Sequence, residues 1–231
     1  MGAAAGPRRR RRDGVLTRKR IIDAAAEIST AEGPDGVTFR ALGSRLGVVA
    51  SAIYRHFHDK DELMLALADQ IFVEIADRFH ATGDWEADLC RLSALARTVC
   101  RRHAFTVAWL GHRTTGGPGA RAVALITLRL LLEASLTPEQ AYFHYVLLTD
   151  LAMGILTVEV VRESPVLRTR RRDDDVLADL ACVEPRLSEL PTIAADAGDV
   201  DYCHFQLQLH IEAIRATASG NAIVAPAGRR G

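Results

Sequence analysis

From Thr17 to near the C-terminus, apolar residues recur at intervals of three and four, with scarcely any β-branched run bounded by turn signals. That spacing puts the apolar positions on one face of a helix, so it predicts an all-α chain. Start and stop signals divide the helices. Thr17 is placed to cap a helix over 17–32, with Leu16 and Ile21 as a hydrophobic staple, and Gly33-Pro34-Asp35-Gly36 ends it. Thr38 caps a short second helix that stops near Gly47, and a third is expected over 48–55. Asp59 and Glu62 form a capping box opening a long fourth helix to about residue 81. Further helices are expected over 84–102, 104–110, 120–135, 138–161, 175–183 and 185–190. Thr137-Pro138-Glu139-Gln140 is the strongest of these start signals. Residues 201–216 are ambiguous, because Phe205, Leu207, Leu209 and Ile211 alternate with polar residues as in a strand. No other segment offers a partner strand, so this segment too is expected to be helical.

Two short helices around a tight turn, framed by longer helices, have the outline of a helix-turn-helix. Gly47 suits the left-handed turn, and Gly43 leaves room for a close crossing. Leu42, Leu46, Val48 and Ile53 supply the small core, while Arg40, Ser51, Tyr54, Arg55, His56 and Lys60 surround it with groups that bind phosphate. Charge agrees with this division. Residues 1–60 hold 12 Lys and Arg against 6 Asp and Glu, and residues 61–231 hold 17 against 23. The net charge of zero therefore conceals a basic head and an acidic body.

The run Gly36-Val37-Thr38-Phe39-Arg40-Ala41-Leu42-Gly43-Ser44-Arg45-Leu46-Gly47-Val48 and the run Ile53-Tyr54-Arg55-His56-Phe57-His58-Asp59-Lys60-Asp61-Glu62-Leu63 resemble, in order and spacing, the DNA-binding head of the tetracycline-repressor (TetR) family of bacterial regulators. The resemblance covers about a quarter of the chain by motif. It implies a three-helix DNA-binding head and a larger helical domain for ligand binding and dimerisation. The boundaries expected are a basic, disordered tail over 1–14, the head over 15–62, the ligand-binding and dimerisation domain over 63–218 and a flexible tail over 219–231. By the resemblance, Thr38, Tyr54 and Lys60 match phosphate contacts, and Arg40 matches a position that reaches a base. Val49, Ala50 and Ser51 open the recognition helix; His56 reads as a packing or phosphate-side residue among the DNA candidates. Val49 and Ala50 offer bases only apolar contact, so specificity is expected to lean on Arg40, Arg45 and DNA shape. The family usually has Ala where this chain has Gly43. The arginines at 8–12 suit either a minor-groove arm or a solvated tail.

For the body, candidate ligand contacts are Phe72, Phe105, Trp109, His112, Tyr142, Tyr145, Thr149 and Met153, with the glycine-rich loop after His112 as a gate. Asp150 and Glu159 sit in an apolar helix and need partners, either a ligand or an interface. Segments 138–161 and 201–216 carry more apolar surface than one core uses, which suits a homodimer. The expected partners are a pseudo-palindromic double-stranded operator, a second copy and a small, largely apolar effector. Control by a protein partner, or by none, is the alternative. An enzyme in a helical scaffold is the runner-up of another class, but no nucleophile elbow, phosphate loop or His-Glu-x-x-His is present. No catalytic residue, cofactor or metal is expected; Cys90, Cys100, Cys182 and Cys203 read as buried reduced thiols. No run of eighteen uncharged apolar residues and no secretory signal is present, so a soluble cytoplasmic protein is expected.

Overall fold

In the computed structural model of the chain, residues 15–111, 113–163, 180, 182–189, 192 and 201–221 are described. All regular structure among them is helical. Thr17 Oγ1 accepts from Arg20 N at 3.2 Å and opens α1 (Arg18–Glu32). Gly33, at φ 76°, ends it and returns its N–H to Ser29 O. A 3-10 turn over Pro34–Gly36 leads to Thr38, whose Oγ1 accepts from Ala41 N at 3.1 Å at the start of α2 (Phe39–Leu46). Gly47 closes α2 in the left-handed region, at φ 70° and ψ 31°. The third helix, α3, covers only Ala50–Ile53, shorter than the expected 48–55. Val49 gives it no side-chain cap, and backbone turns replace the helix from Tyr54 to His56.

The chain divides into two compact units, Met1–Leu63 and Met64–Gly231. The first buries Ile21, Ala25, Val37, Leu42, Ile53 and Phe57 completely. Leu46 and Val48, expected in the same core, are half-buried.

The helices that follow are α4 (Lys60–Arg78), α5 (Trp85–Arg102), α6 (Ala104–Leu110), α7 (Pro118–Glu133), α8 (Pro138–Glu163) and α9 (Tyr202–Ala218). Asp84 caps α5 through bonds from Glu86 N and Ala87 N. At α8 the box is reciprocal: Thr137 N donates to Gln140 Oε1 at 2.9 Å, and Gln140 N to Thr137 Oγ1 at 3.3 Å. The alternating segment near the C-terminus is helix α9, with Cys203, Leu207, His210, Ile211 and Ile214 as its buried stripe. Of the segment expected as helix over 185–190, Pro185–Leu187 is a 3-10 turn; most of the stretch over 175–183, the tail over 1–14 and the tail from 222 onward lie outside the described residues. The second unit packs Leu89, Val99, Leu130, Leu131, Leu156, Leu207 and Ile214 in its core.

Two buried polar clusters fix helix positions in this unit. Asp69 of α4 is buried and accepts from Thr115 Oγ1 (2.6 Å), Gly119 N (2.9 Å) and Ala120 N (3.0 Å), so it caps α7 from another helix. A Cβ on Gly117 would lie 2.3 Å from the Asp69 carboxyl carbon, and one on Gly119 2.5 Å from Asp69 O. The glycines therefore hold the loop against α4. Between α8 and α9, Thr217 Oγ1 donates to Ala213 O at 2.8 Å, so it accepts from His144 Nε2 at 3.0 Å. That leaves a lone pair on His144 Nδ1 for the Nε2–H of His210, 3.3 Å away. The cluster needs a neutral His144, whose Nδ1 must keep its lone pair to accept from His210. Burial lowers the pKa of His144, and burial followed by the nearby His144 pushes that of His210 down to about 4.

Residues Pro138–Val160 of α8 are long and apolar enough to cross a membrane, with mean hydropathy 1.4, and only 17% of the most apolar window is buried. Counting uncharged runs misses this stretch because Asp150 and Glu159 interrupt it. Leu147, Leu151 and Val158 of α8 and Tyr202, Phe205 and Leu209 of α9 remain exposed. Cys100 and Cys203 are buried and Cys90 half-buried, but Cys182 is exposed, against expectation; its place is beside exposed Leu180 and Val183, where the apolar pattern covers no core.

Candidate nucleic-acid interface and internal cavity

The outer side of α2 and α3 carries most of the residues singled out for DNA. Thr38, Arg40 and Ser51 are exposed, and Val49 is 70% exposed although it is apolar. Ala50 is half-buried at the start of α3. Tyr54 is 59% exposed, and its ring meets Phe39 edge-on with centroids 4.5 Å apart, which ties the end of α3 to the first turn of α2. His56 and Lys60 are half-buried, with Lys60 in the first turn of α4. Gly43 explains how α2 and α3 cross so closely: a Cβ there would lie 2.8 Å from Val48 O.

Two arginines behave differently from expectation. Arg45 is held by Glu27 of α1, with Nε 2.8 Å from Oε2, and a second nitrogen bonds to the same oxygen. Its guanidinium is therefore engaged inside the unit, unlike that of Arg40. Arg18, which the sequence did not single out, bonds to His56 O and to Glu62 Oε1 (2.9 Å) and lies 4.0 Å over the Phe57 ring. It is a positioning residue for the turn between α3 and α4. A backbone bond from His58 N, then Arg18, lowers the pKa of Glu62. Glu62 thus reaches back to His58 N rather than Asp59 N, a shifted form of the expected box.

In the second unit a cavity of about 770 Å³ opens between α4, α7, α8 and the segment from Gly111 to Thr115. It brings together Phe72, Tyr145, Thr149 and Met153 of the expected ligand residues. Phe105 and Trp109 do not line it; Arg113 lies over the Trp109 ring, 4.8 Å from its centroid. Tyr142 points away from the cavity and is 56% exposed, one helical turn from the lining position of Tyr145. His112 lies outside the described residues. The sequence reading missed Arg113, Thr115, Val123, Thr127 and Thr157, which also line the cavity. Threonines on apolar helix faces look like packing residues in sequence, and only the tertiary arrangement shows the empty space beside them. The expected gate is instead pinned, because Asp69 bonds to both ends of the Thr115–Ala120 segment. Asp150 is exposed and borders the cavity, whereas Glu159 pairs with Arg97 of α5 at 2.6 Å.

A wider groove of about 900 Å³ runs between α8 and α9, bordered by Leu151, Val158, Phe205, Leu209 and His210. It is a largely apolar trough on the face that α8 and α9 leave uncovered.

Comparison with known proteins gives these features a context. The profile of bacterial regulatory proteins of the tetR family matches residues 21–67. The class A tetracycline repressor from transposon 1721 of Escherichia coli is 30% identical over 188 residues, 78% of this chain and 79% of that repressor. An HTH-type transcriptional regulator of Saccharopolyspora erythraea is 29% identical over 108 residues, and the match spans about half of either protein, 47% of this chain and 46% of the relative. Among solved structures, ActR of Streptomyces coelicolor in complex with actinorhodin superposes with TM-score 0.70 at 23% identity, covering 89% of this chain and 99% of ActR.

Proposed function

Because the chain belongs to the tetR family of bacterial regulatory proteins, we propose that this transcriptional regulator is a homodimeric repressor that holds a pseudo-palindromic operator through α2 and α3 and releases it when a small, largely apolar effector enters the 770 Å³ cavity. The observation that carries the DNA-contacting role of these residues is the solvent-facing pair Val49 and Tyr54, apolar surface left uncovered beside Thr38, Arg40 and Ser51. An isolated head gains nothing by exposing them, whereas a major groove offers thymine methyls to Val49 and phosphate oxygens to the Tyr54 hydroxyl. Thr38 and Lys60 add phosphate contacts, and Arg40 reads a base edge.

The exposed apolar residues of α8 and α9 support pairing of two copies through a four-helix bundle. Asp150, an exposed acid in the middle of α8, disfavours a bilayer as the covering medium. Two-fold symmetry in the protein then predicts two half-sites in the operator. ActR's complex with actinorhodin, in a protein of the same fold, supports a small molecule as the effector.

The test is a binding titration on DNA from upstream of the protein's own gene, against unrelated DNA, at several salt concentrations. Tyr54→Phe and Lys60→Ala should weaken both DNAs equally, while Arg40→Ala should narrow the gap between them by about 1–3 kcal/mol. Equal loss on both DNAs for Arg40→Ala would remove its reading role. Deleting residues 1–12 should flatten the salt dependence by about 0.9 per arginine engaged; parallel salt lines would leave the tail as a solvated one.

A further inference from the structure

The 770 Å³ cavity has a narrow annex. A second space of about 110 Å³ lies between α4, α5, α7, α8 and α9, walled by Ile75, Leu89, Leu92, Ala96, Leu156 and Leu207. Phe72, Val123, Thr127, Thr149 and Met153 border both spaces and so form the junction between them. An enclosed apolar cavity of roughly 150 Å³ stays dry and takes apolar guests. The annex, a little smaller and lined mostly by apolar side chains, suits a few carbons of an alkyl chain. The outer cavity has room for a ring system, with Phe72 and Tyr145 in its wall.

The junction also specifies polarity. Thr127 Oγ1 donates to Val123 O at 2.9 Å, and Thr149 Oγ1 donates to Tyr145 O at 2.6 Å. A hydroxyl has one proton, and here each is committed to the carbonyl one turn back along its own helix. Only lone pairs remain for a guest, so a polar group lodged at the junction has to be a donor. No charged side chain borders the annex. The charged groups of the outer cavity, Arg113 and Asp150, are both exposed and of opposite sign. An ionised donor at the junction would be desolvated without a counter-charge, so the donor is neutral. Gln206 Nε2, buried without a partner, borders the annex and the α8–α9 groove alike; it favours a guest acceptor, which a hydroxyl oxygen and an ether oxygen both supply.

We propose that the effector is a neutral amphiphile: a ring system in the outer cavity, a hydroxyl where ring meets chain, and a short unbranched alkyl chain in the annex. The proposal rests on the reading of the second unit as an effector domain.

The experiment is calorimetric titration of the full chain, without DNA, with 2-alkylphenols of increasing chain length and with their methyl ethers. Affinity should rise about three- to fourfold per methylene and level off once the annex is full. Each ether, which has no proton to give, should bind about tenfold more weakly than its phenol. Ala96→Phe should fill the annex and flatten the chain-length series while keeping the phenol–ether gap; Ala152→Leu, a milder change on the same wall, serves where Ala96→Phe fails to fold. Thr127→Val with Thr149→Val should close the phenol–ether gap and keep the chain-length rise. The proposal is overturned if no phenol binds, if affinity climbs with chain length without a plateau, or if the gap survives the double valine variant. The regulator reading fails separately: a protein that binds phenols but does not prefer its upstream DNA over unrelated DNA loses that reading alone, and one that prefers the DNA but ignores every phenol loses only the effector chemistry.

Discussion

The two units are built on opposite plans. In Met1–Leu63 nearly every turn is set by one residue with a local job: Thr17 and Thr38 as caps, Gly33 and Gly47 at positive φ, Gly43 under Val48. Its core is small and full, and its distinctive side chains face water. In Met64–Gly231 the distinctive features are spaces: a cavity, an annex, and an open groove. Its ordering contacts run between helices far apart in sequence, such as Asp69 to α7 and Arg97 to both Glu159 and Asp201. A surface that docks on a repeating polymer needs backbone precision, which local signals supply. A chamber needs only walls, and many side chains of similar volume make acceptable walls.

That contrast is open to attack by substitution. The largest effect should come from Asp69→Ala, which strips one acceptor from Thr115 Oγ1, Gly119 N and Ala120 N and should cost about 3 kcal/mol of stability. Hydrogen exchange measured by segment should quicken in α7 and stay unchanged in α1 to α3; equal quickening in both would erase the distinction between local and long-range ordering. Next comes acid. His144 and His210 are neutral when folded, with pKa values below the ordinary 6.5, so the unfolded chain binds protons first. Their contribution is complete above about pH 6.5 and is lost as pH falls toward 4. The thermal midpoint should therefore drop between about pH 7 and about pH 5, and His210→Gln should flatten the drop. An identical slope in that variant would acquit the pair.

A smaller effect is expected at Gly43→Ala, the residue usual in the family. Helix propensity favours alanine by about 1 kcal/mol, but a Cβ would sit 2.8 Å from Val48 O, and overpacking of that kind costs about 1–3 kcal/mol. Net destabilisation of about 1 kcal/mol in urea unfolding is the expected outcome; a more stable variant would mean that α2 and α3 can move apart freely. Smallest is Arg45→Ala. Its pairing with Glu27 is half exposed, so stability should change by less than about 0.5 kcal/mol. Its effect on operator choice should also fall well below that of Arg40→Ala, and a comparable effect would return Arg45 to the reading surface.

The same contrast accounts for what could be read in the chain. Caps and left-handed glycines act within four residues, so Thr17, Thr38, Gly47 and the Thr137–Gln140 box announce themselves in sequence. The α9 segment was resolved by elimination, since a strand needs a partner that the chain does not offer. The cavity was only half legible. Phe72, Tyr145, Thr149 and Met153 were reachable from aromatic and polar residues on apolar helices. Tyr142 fitted the same criterion but lies on the outside, because α8 is apolar all round and its sequence does not say which face is covered. The pairing of Arg45 was hidden for a related reason: its partner Glu27 is 18 residues away on another helix.

The cysteines make one more difference between the units useful. All four lie in Met64–Gly231, and they form a graded series: Cys182 exposed, Cys90 half-buried, Cys203 and Cys100 buried. Burial pushes the thiol pKa of Cys203 up to about 11 and that of Cys100 up to about 12, so both stay protonated and unreactive until water reaches them. Alkylation of the unmodified protein therefore works as a stopwatch. The first thiol reports the reagent, and the slow ones time the opening of the walls around the annex, which both Cys100 and Cys203 border. Since the first unit contributes no thiol, that clock runs on the chamber alone, and any guest that lodges inside should slow it in proportion to the fraction of chambers it fills.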